Sequence, residues 1–167
     1  QPFSELERIA FKQIGFSDYL IVSTQFMINS LKKLWPDKPM YLIPNSIDFD
    51  IWDNIKFIKD PSLPEKKPGT VRIGYTGCGN HDGDIKLILK PLLKLLTENE
   101  NVEFVLSQPF PAIANIKHPR LICLNRWLPI DMVPQDFKNW DMDIGVAPLR
   151  DNNFNRSKTN LRWLEYS

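Results

Sequence analysis

The chain has 167 residues, of which 43% are hydrophobic and 25% are charged, and its formal net charge at pH 7 is +1. This length suits one domain, or one domain and a piece of another. The near-zero charge gives no electrostatic argument for nucleic acid or an anionic membrane as a partner. The 11% aromatic content excludes a disordered chain.

The two cysteines indicate neither a disulfide framework nor a metal site. Cys123 lies in an apolar run and is expected to be a small core residue. Cys78 lies in a glycine-flanked loop without a second cysteine or a histidine pattern at metal-binding spacing. We therefore expect no metal, no cofactor and a reducing, cytoplasmic compartment. The leucine-rich stretch 85–96 contains three lysines, so it is not expected to span a membrane.

The first 48 residues predict alternating helices and strands. Apolar spacing indicates a helix over 4–13, and short apolar runs indicate strands at 19–22 and 40–43. Thr24 is a suitable N-cap for a helix between the two strands. We interpret residues 1–48 as one structural segment.

Residues 49–69 lack this periodicity. The part from Asp60 to Gly69 contains three prolines and two adjacent lysines, which is typical of an exposed linker. We place the domain boundary inside it, with a second domain over 70–167.

The second domain shows a regular alternation of strands and helices. Strands are predicted at 71–75, 102–106, 120–124 and 143–147, and helices at 83–97 and 132–139. This order predicts βαβ units and an α/β fold with a Rossmann-like parallel sheet and helices on both faces. Pro91 inside the first of these helices predicts a kink, or a helix that starts after Asp84.

A glycine-rich loop from Gly74 to Gly83 joins a strand to a helix. Its glycines, Gly77 among them, allow backbone N–H groups to approach an anion, and the helix N-terminus adds a favourable dipole. The spacing matches neither the dinucleotide fingerprint nor the P-loop, so a plain strand-to-helix turn is an equal alternative. His81 is either a hydrogen-bond donor to a phosphate or sugar, or a solvated loop residue.

Two further groups of residues follow strands near their carboxyl ends, where open α/β sheets bind ligands. In the first, Trp127 is either the wall of a base or sugar pocket or a core residue, and Arg126 could meet an anion. In the second, Lys158 could neutralise a diphosphate and Glu165 could accept hydrogen bonds from a ribose diol. A capped helix with two surface charges is the alternative for this pair. The residues alone indicate an α/β domain that binds a phosphorylated ligand.

Five motifs in this order resemble family-4 (group 1) glycosyltransferases. They are Asp18-Tyr-Leu-Ile-Val-Ser-Thr24, Tyr41-Leu-Ile-Pro-Asn-Ser-Ile-Asp48, Ile73-Gly-Tyr-Thr-Gly77 with His81, Asp143-Ile-Gly-Val-Ala-Pro-Leu149, and Phe154-Asn-Arg-Ser-Lys158 with Leu164-Glu-Tyr166. The resemblance covers nearly the whole chain, and the second and fifth motifs are its most specific parts.

The resemblance implies a GT-B enzyme with two Rossmann-like domains and an active site in the cleft between them. Residues 1–48 would be the tail of the acceptor-binding domain, and residues 70–167 a truncated donor-binding domain. The enzyme would transfer a sugar from a UDP-, GDP- or similar donor to a saccharide or lipid-linked acceptor in polysaccharide biosynthesis, with retention and without a metal. The full-length protein could associate peripherally with a membrane, and we expect the present chain alone to be inactive.

The resemblance also implies roles for individual residues. Glu165 matches the second glutamate of the family's paired motif, which binds the ribose hydroxyls, whereas Ser157 stands at the position of the first. Lys158 would meet the diphosphate, and Trp127 with Leu128 would line the nucleobase pocket. The family's glycine-loop arginine and lysine are missing: Tyr75 follows Gly74, and His81 lies near the place of the lysine. The catalytic residues are not identified.

Two alternatives follow from these departures. A GT-B-like domain could bind a ligand or partner without catalysis, since the first glutamate and the arginine–lysine pair are absent. A nucleotide-sugar epimerase on the same fold is the other alternative.

Overall fold

A computed structural model describes residues 4–77 and 81–167. The chain divides into two compact units, each built from two stretches. Unit 1 comprises residues 1–46 and 152–160, and unit 2 comprises residues 47–151 and 161–167. Both units have parallel strands with helices beside them, so the predicted mixed α/β, Rossmann-like class is confirmed.

Helices and strands alternate along most of the described chain. The helices are α1 (Glu5–Phe16), α2 (Gln25–Leu31), α3 (Phe49–Trp52), α4 (Asp82–Glu98), α5 (Val133–Asn139), α6 (Asn153–Arg156) and α7 (Leu161–Tyr166). The strands are β1 (Leu20–Val22), β2 (Met40–Leu42), β3 (Val71–Tyr75), β4 (Val102–Leu106), β5 (Leu121–Cys123) and β6 (Ile144–Gly145). Short 3-10 helices occupy Pro111–Ile113 and Ile130–Met132.

Unit 1 forms through local capping and one parallel strand pair. Ser4 and Glu7 make a reciprocal capping box at the start of α1. The Thr24 hydroxyl accepts a hydrogen bond from the Met27 amide (3.2 Å) at the start of α2, as predicted. Strands β1 and β2 then pair in parallel.

The segment 152–160 belongs to unit 1 through contacts distant in sequence. The Thr24 hydroxyl donates to the Ser157 carbonyl oxygen (3.2 Å), and the side-chain amide of Asn45 donates to the Thr159 hydroxyl (3.2 Å). The Thr24 hydroxyl therefore caps α2 and, at the same time, binds the segment 152–160.

Unit 2 contains a parallel sheet with the order β5-β4-β3-β6. Along the chain β3, β4 and β5 are added in one direction, and β6 is then added on the other side of β3. This is the pattern of the first four strands of a Rossmann sheet, with a topological switch point between β3 and β6.

The core of unit 2 lies between this sheet and α4. Phe104 and Leu106 of β4, and Ile85 and Leu96 of α4, have no exposed surface and belong to one cluster. Helix α4 has 17 residues with Pro91 inside it, so the alternative of a start after Asp84 is wrong, and the kink at Pro91 stays a prediction. Burial of the apolar face on both sides of Pro91 offsets the backbone hydrogen bond that proline cannot make.

Residues at the edges of the sheet are more exposed than their apolar sequences predicted. Cys123, expected in the core, is exposed because β5 is an edge strand. Ile144 of β6, in a run predicted to be a buried strand, is 48% exposed at the opposite edge.

The predicted linker 49–69 contains a short helix, α3, and two buried residues. Leu63 packs in a cluster with Val105 and Trp140, and Asp60 is also buried. The expectation of an exposed segment is therefore wrong at these two positions, since apolar packing and an ion pair hold them in unit 2. The predicted division of the chain into domains stays a prediction.

Candidate functional site

Unit 2 has a cavity of about 390 Å³ at the carboxyl ends of β3, β4 and β5, which we call the strand-end pocket. Ligand sites in open α/β sheets lie at this edge. Its lining residues come from the loops after the three strands and from α5 and α7: Thr76, Gly77, Ser107, Gln108, Arg126, Trp127, Leu128, Pro129, Val133, Asp136, Phe137 and Arg162.

The loops after β3 and β4 are joined at Gly77. The Gly77 amide donates to the Ser107 hydroxyl (3.1 Å), and that hydroxyl donates to the Gly77 carbonyl oxygen (3.0 Å). An added Cβ at Gly77 would lie 2.8 Å from the Tyr75 phenol oxygen. The close approach explains a glycine here, and Gly77 itself lines the strand-end pocket.

The loop after β5 presents Trp127 to solvent. Asn125 has a φ of 47°, in the left-handed region, and the Arg126 amide then donates to the Ser107 carbonyl oxygen (3.1 Å). Trp127 is 78% exposed, so its alternative interpretation as a core residue is wrong. Trp127 and Leu128 lie in the same pocket wall as Gly77. An exposed indole beside a concave apolar surface can stack on a flat ring.

Arg126 is held by two carboxylates of its own chain. Its Nη2 atom pairs with Asp60, and also with Asp136 at 2.6 Å. Burial raises the pKa of Asp60, but hydrogen bonds from Arg126 and Ser62 outweigh it, so the pKa lies below its ordinary value. Burial raises the pKa of Asp136, against the opposing charge of Arg126. Asp60 and Asp136 thus offset the positive charge of Arg126. The expected contact of Arg126 with a ligand anion stays a prediction.

Arg162 lines the strand-end pocket and was not identified from the sequence. Its Nη1 atom lies 2.5 Å from Glu165 Oε2, and its guanidinium lies 5.7 Å from the centre of the Phe137 ring. The signal in the sequence was the three-residue spacing to Glu165 on one helix, which pairs opposite charges.

Glu165 lines a second cavity, of about 690 Å³, which lies against α3, α5 and α7. Its side chain is 11% exposed. Burial raises the pKa of the Glu165 carboxyl above its ordinary value, while the charge of Arg162 opposes the shift. Glu165 is therefore adjacent to the strand-end pocket through Arg162, and is not among its lining residues.

Helix α7 is fixed at the switch point by Tyr166. Its phenol oxygen accepts from the Thr76 amide (3.2 Å) and lies 3.0 Å from the Thr76 hydroxyl. Its ring stacks on Phe137 at 5.5 Å between centroids and lies against Gly145 of β6. These contacts fix the position of Arg162 one turn earlier in the helix.

His81 stands at the start of α4 with a carboxylate partner. Its Nδ1 lies 2.8 Å from Asp84 Oδ2. Asp84 is 2% exposed, and its Oδ1 accepts from the amide (2.9 Å) and Nε (3.3 Å) of Arg150. The predicted ligand role of His81 stays a prediction. Cys78, Gly79 and Asn80 of the glycine-rich loop lie outside the described residues.

Lys158 and Ser157 lie in unit 1, whereas the other candidate residues lie in unit 2. The Lys158 ammonium is 4.7 Å from the centre of the Phe154 ring. The Ser157 hydroxyl donates to the Asn153 carbonyl oxygen (2.7 Å), in the last turn of α6. The phosphate-binding role of Lys158 stays a prediction.

Residues 4–77 and 81–167 contain no group of three or more His, Cys, Asp or Glu side chains arranged to hold a metal ion. Within the same residues, no helix has the length and apolar character needed to cross a membrane. No family model matches the chain, and no curated protein matches its sequence.

Proposed function

We propose that unit 2 is the donor-binding part of a retaining, metal-independent glycosyltransferase whose donor is a nucleotide-diphosphate sugar. The observation that carries this proposal is the strand-end pocket, with the exposed Trp127 in its wall. Its location at the carboxyl ends of parallel strands, beside a switch point, is typical of nucleotide sites.

The base of the donor stacks on Trp127 in this proposal, with Leu128 and Val133 completing an apolar wall. Every nucleobase has a π-face, so stacking contributes affinity without selecting one base. The side-chain amide of Gln108, which lines the same pocket, then offers hydrogen bonds to the ring edge.

The departing nucleoside diphosphate must have its developing charge stabilised by the protein. Without a metal, cationic side chains, loop amides and a helix N-terminus are the groups that can do this. The resemblance implies Lys158 as the cation for the diphosphate, His81 could donate a hydrogen bond to a phosphate, and the acceptor would be a saccharide or lipid-linked glycoconjugate. These roles are part of the proposal and rest on the resemblance.

Calorimetric titration with UDP, GDP and ADP tests the proposal. We expect one of them to bind to the wild-type chain, and Trp127→Ala to weaken binding about tenfold or more, since stacking contributes about 1–3 kcal/mol per base. Trp163→Ala is the matched control, because Trp163 is 65% exposed and lies outside the strand-end pocket. Absence of heat with all three nucleotides, or equal losses in both variants, would contradict the proposal.

A nucleotide-binding domain without catalysis is the second candidate. The observation that favours it is Ser157, which stands where the family's first glutamate is expected and uses its hydroxyl within α6. A full-length protein that binds the nucleotide, but releases no sugar from any donor it binds, would select this candidate.

A further inference from the structure

We infer that Arg162 binds the diphosphate of the ligand in the strand-end pocket, and that Glu165 positions Arg162 instead of binding the ribose. The inference rests on the proposed function for the identity of the ligand. It departs from the resemblance, which gives Glu165 a direct contact with the sugar diol.

The wall of the strand-end pocket carries three charged side chains. Its charged lining residues are Arg126, Asp136 and Arg162. Arg126 is paired with both Asp60 and Asp136, so this group contributes no excess positive charge when both carboxylates are ionised. Arg162 is paired with Glu165, but Glu165 does not line this pocket, so Arg162 is the lining cation whose acidic partner lies outside the surface that a diphosphate would meet.

The two members of the Arg162–Glu165 pair line different cavities. The Arg162 side chain is 42% exposed and lines the strand-end pocket, whereas that of Glu165 is 11% exposed and lines the second cavity. A guanidinium has five N–H donors, and the contact with Glu165 occupies its Nη1 edge. The fork that remains can bind phosphate oxygens in a bidentate manner.

The Arg162 side chain is restrained by its neighbours in unit 2. Phe137 lies under the guanidinium, and Tyr166 ties the same helix to Thr76 at the end of β3. An arginine held on one edge and one face loses little side-chain freedom when an anion binds. Glu165 supplies the restraint at the Nη1 edge and therefore acts as a positioning residue.

The two roles for Glu165 predict different losses. If Glu165 binds ribose, Glu165→Gln weakens uridine and UDP alike. If it positions Arg162, the variant weakens UDP and inorganic pyrophosphate but leaves uridine unchanged. Titration of Arg162→Gln and Glu165→Gln with uridine, UDP and pyrophosphate separates the two roles. The same titrations use guanosine with GDP and adenosine with ADP.

We expect Arg162→Gln to weaken the diphosphate and pyrophosphate about tenfold or more, the loss typical of a charge-assisted hydrogen bond. Arg162→Lys should recover only part of the affinity, because a lysine is a point charge. The double variant should bind the diphosphate no more weakly than Arg162→Gln alone. Lys138→Gln is the control, since it removes one positive charge from α5 outside the strand-end pocket.

The outcomes separate this inference from the proposed function. Nucleotide binding that is equal in wild type, Arg162→Gln and Arg162→Lys overturns the inference and leaves the function standing. Pyrophosphate binding that depends on Arg162, without binding of any nucleoside or nucleotide, supports the anion site and contradicts the function. A loss of uridine affinity in Glu165→Gln overturns the positioning role, and absence of binding by all probes overturns both proposals.

Discussion

Arg72 and Glu103 form a buried ion pair directly across β3 and β4 in unit 2, where their Cα positions are partners in the parallel register. Arg72 is 3% exposed and Glu103 8% exposed. Two further guanidinium nitrogens of Arg72 donate to the carbonyl oxygens of Trp140 and Pro64, both at 2.8 Å. One side chain thus joins the sheet, the end of α5 and the segment that precedes β3.

Removal of one partner from this pair should destabilise unit 2 strongly. We expect Glu103→Ala to lower the free energy of unfolding by about 3–5 kcal/mol, because it leaves the Arg72 charge buried without a carboxylate. Urea denaturation measures the change. The exposed pair of Lys59 and Glu65 gives the control, in which Glu65→Ala should stay within about 0.5 kcal/mol. Equal effects of the two substitutions would contradict the prediction.

A side chain at Gly145 should displace α7. An alanine Cβ there would lie 2.4 Å from Tyr166 Cγ, and the ring cannot retreat without loss of its hydrogen bonds to Thr76. We expect Gly145→Ala to cost about 1–3 kcal/mol and to accelerate amide hydrogen exchange in α7. Gly15→Ala is the control, because nothing lies within 4 Å of an added Cβ at that position. Unchanged exchange in α7 would show that the Tyr166 contact does not hold the helix.

Asp60 should make the stability of unit 2 depend on acidic pH. Burial raises the pKa of Asp60, but the hydrogen bonds from Arg126 and Ser62 lower it by more than burial raises it. The pKa of Asp60 in the folded protein therefore lies below that in the unfolded chain. Such a carboxylate stabilises the fold above the unfolded pKa of about 3.9, and the contribution is lost as pH falls through the folded pKa. Wild type should therefore exceed Asp60→Asn in stability at pH 6, and the difference should shrink below about pH 4.

Urea midpoints measured from pH 2.5 to 7 would check this dependence. Asp131→Asn provides the matched control, since Asp131 is an exposed carboxylate of the same unit. A difference between wild type and Asp60→Asn that stays constant with pH would exclude the ion pair as its source.

Loss of the Thr24 hydroxyl should weaken unit 1. The hydroxyl accepts from the Met27 amide and donates to the Ser157 carbonyl oxygen. We expect Thr24→Ala to cost about 1–2 kcal/mol, the upper part of the range for an N-cap, and Thr24→Ser to retain most of the stability. Hydrogen exchange at the first turn of α2 is the measurement, and equal protection in the two variants would contradict the prediction.

Local signals in the sequence predicted the local parts of the fold. Short-range patterns predicted Thr24 as an N-cap, the strand at 71–75 and the helix at 83–97. The structure confirms all three within a few residues. Cys123 and Ile144 were expected to be buried because their neighbours are apolar. Whether a strand lies at the centre or the edge of a sheet depends on strand order, which periodicity does not encode.

The candidate site shows the same division between local and distant information. Gly77, Trp127 and Leu128 could be selected because they follow strands, and the structure brings them into one pocket wall. One of the two partners of Arg126 was not predictable, because Asp60 lies 66 positions away in a segment without periodicity. Arg162 was missed because its spacing to Glu165 predicts an ion pair on one helix but does not indicate which cavity the arginine lines.

The division of unit 1 into two stretches imposes an order on its completion during synthesis. Residues 1–46 leave the ribosome long before residues 152–160, so the acceptor of the Thr24 hydroxyl, 133 positions later, does not yet exist. Closure of so long a loop is slow and costs entropy that local contacts do not. A fragment that ends at Ser46 would lack this part of unit 1, and one that begins at Ile47 would carry 152–160 without its strands. Truncation after Ser46 therefore yields an incomplete unit 1, whereas a split-chain design that supplies residues 152–160 as a second chain would restore it.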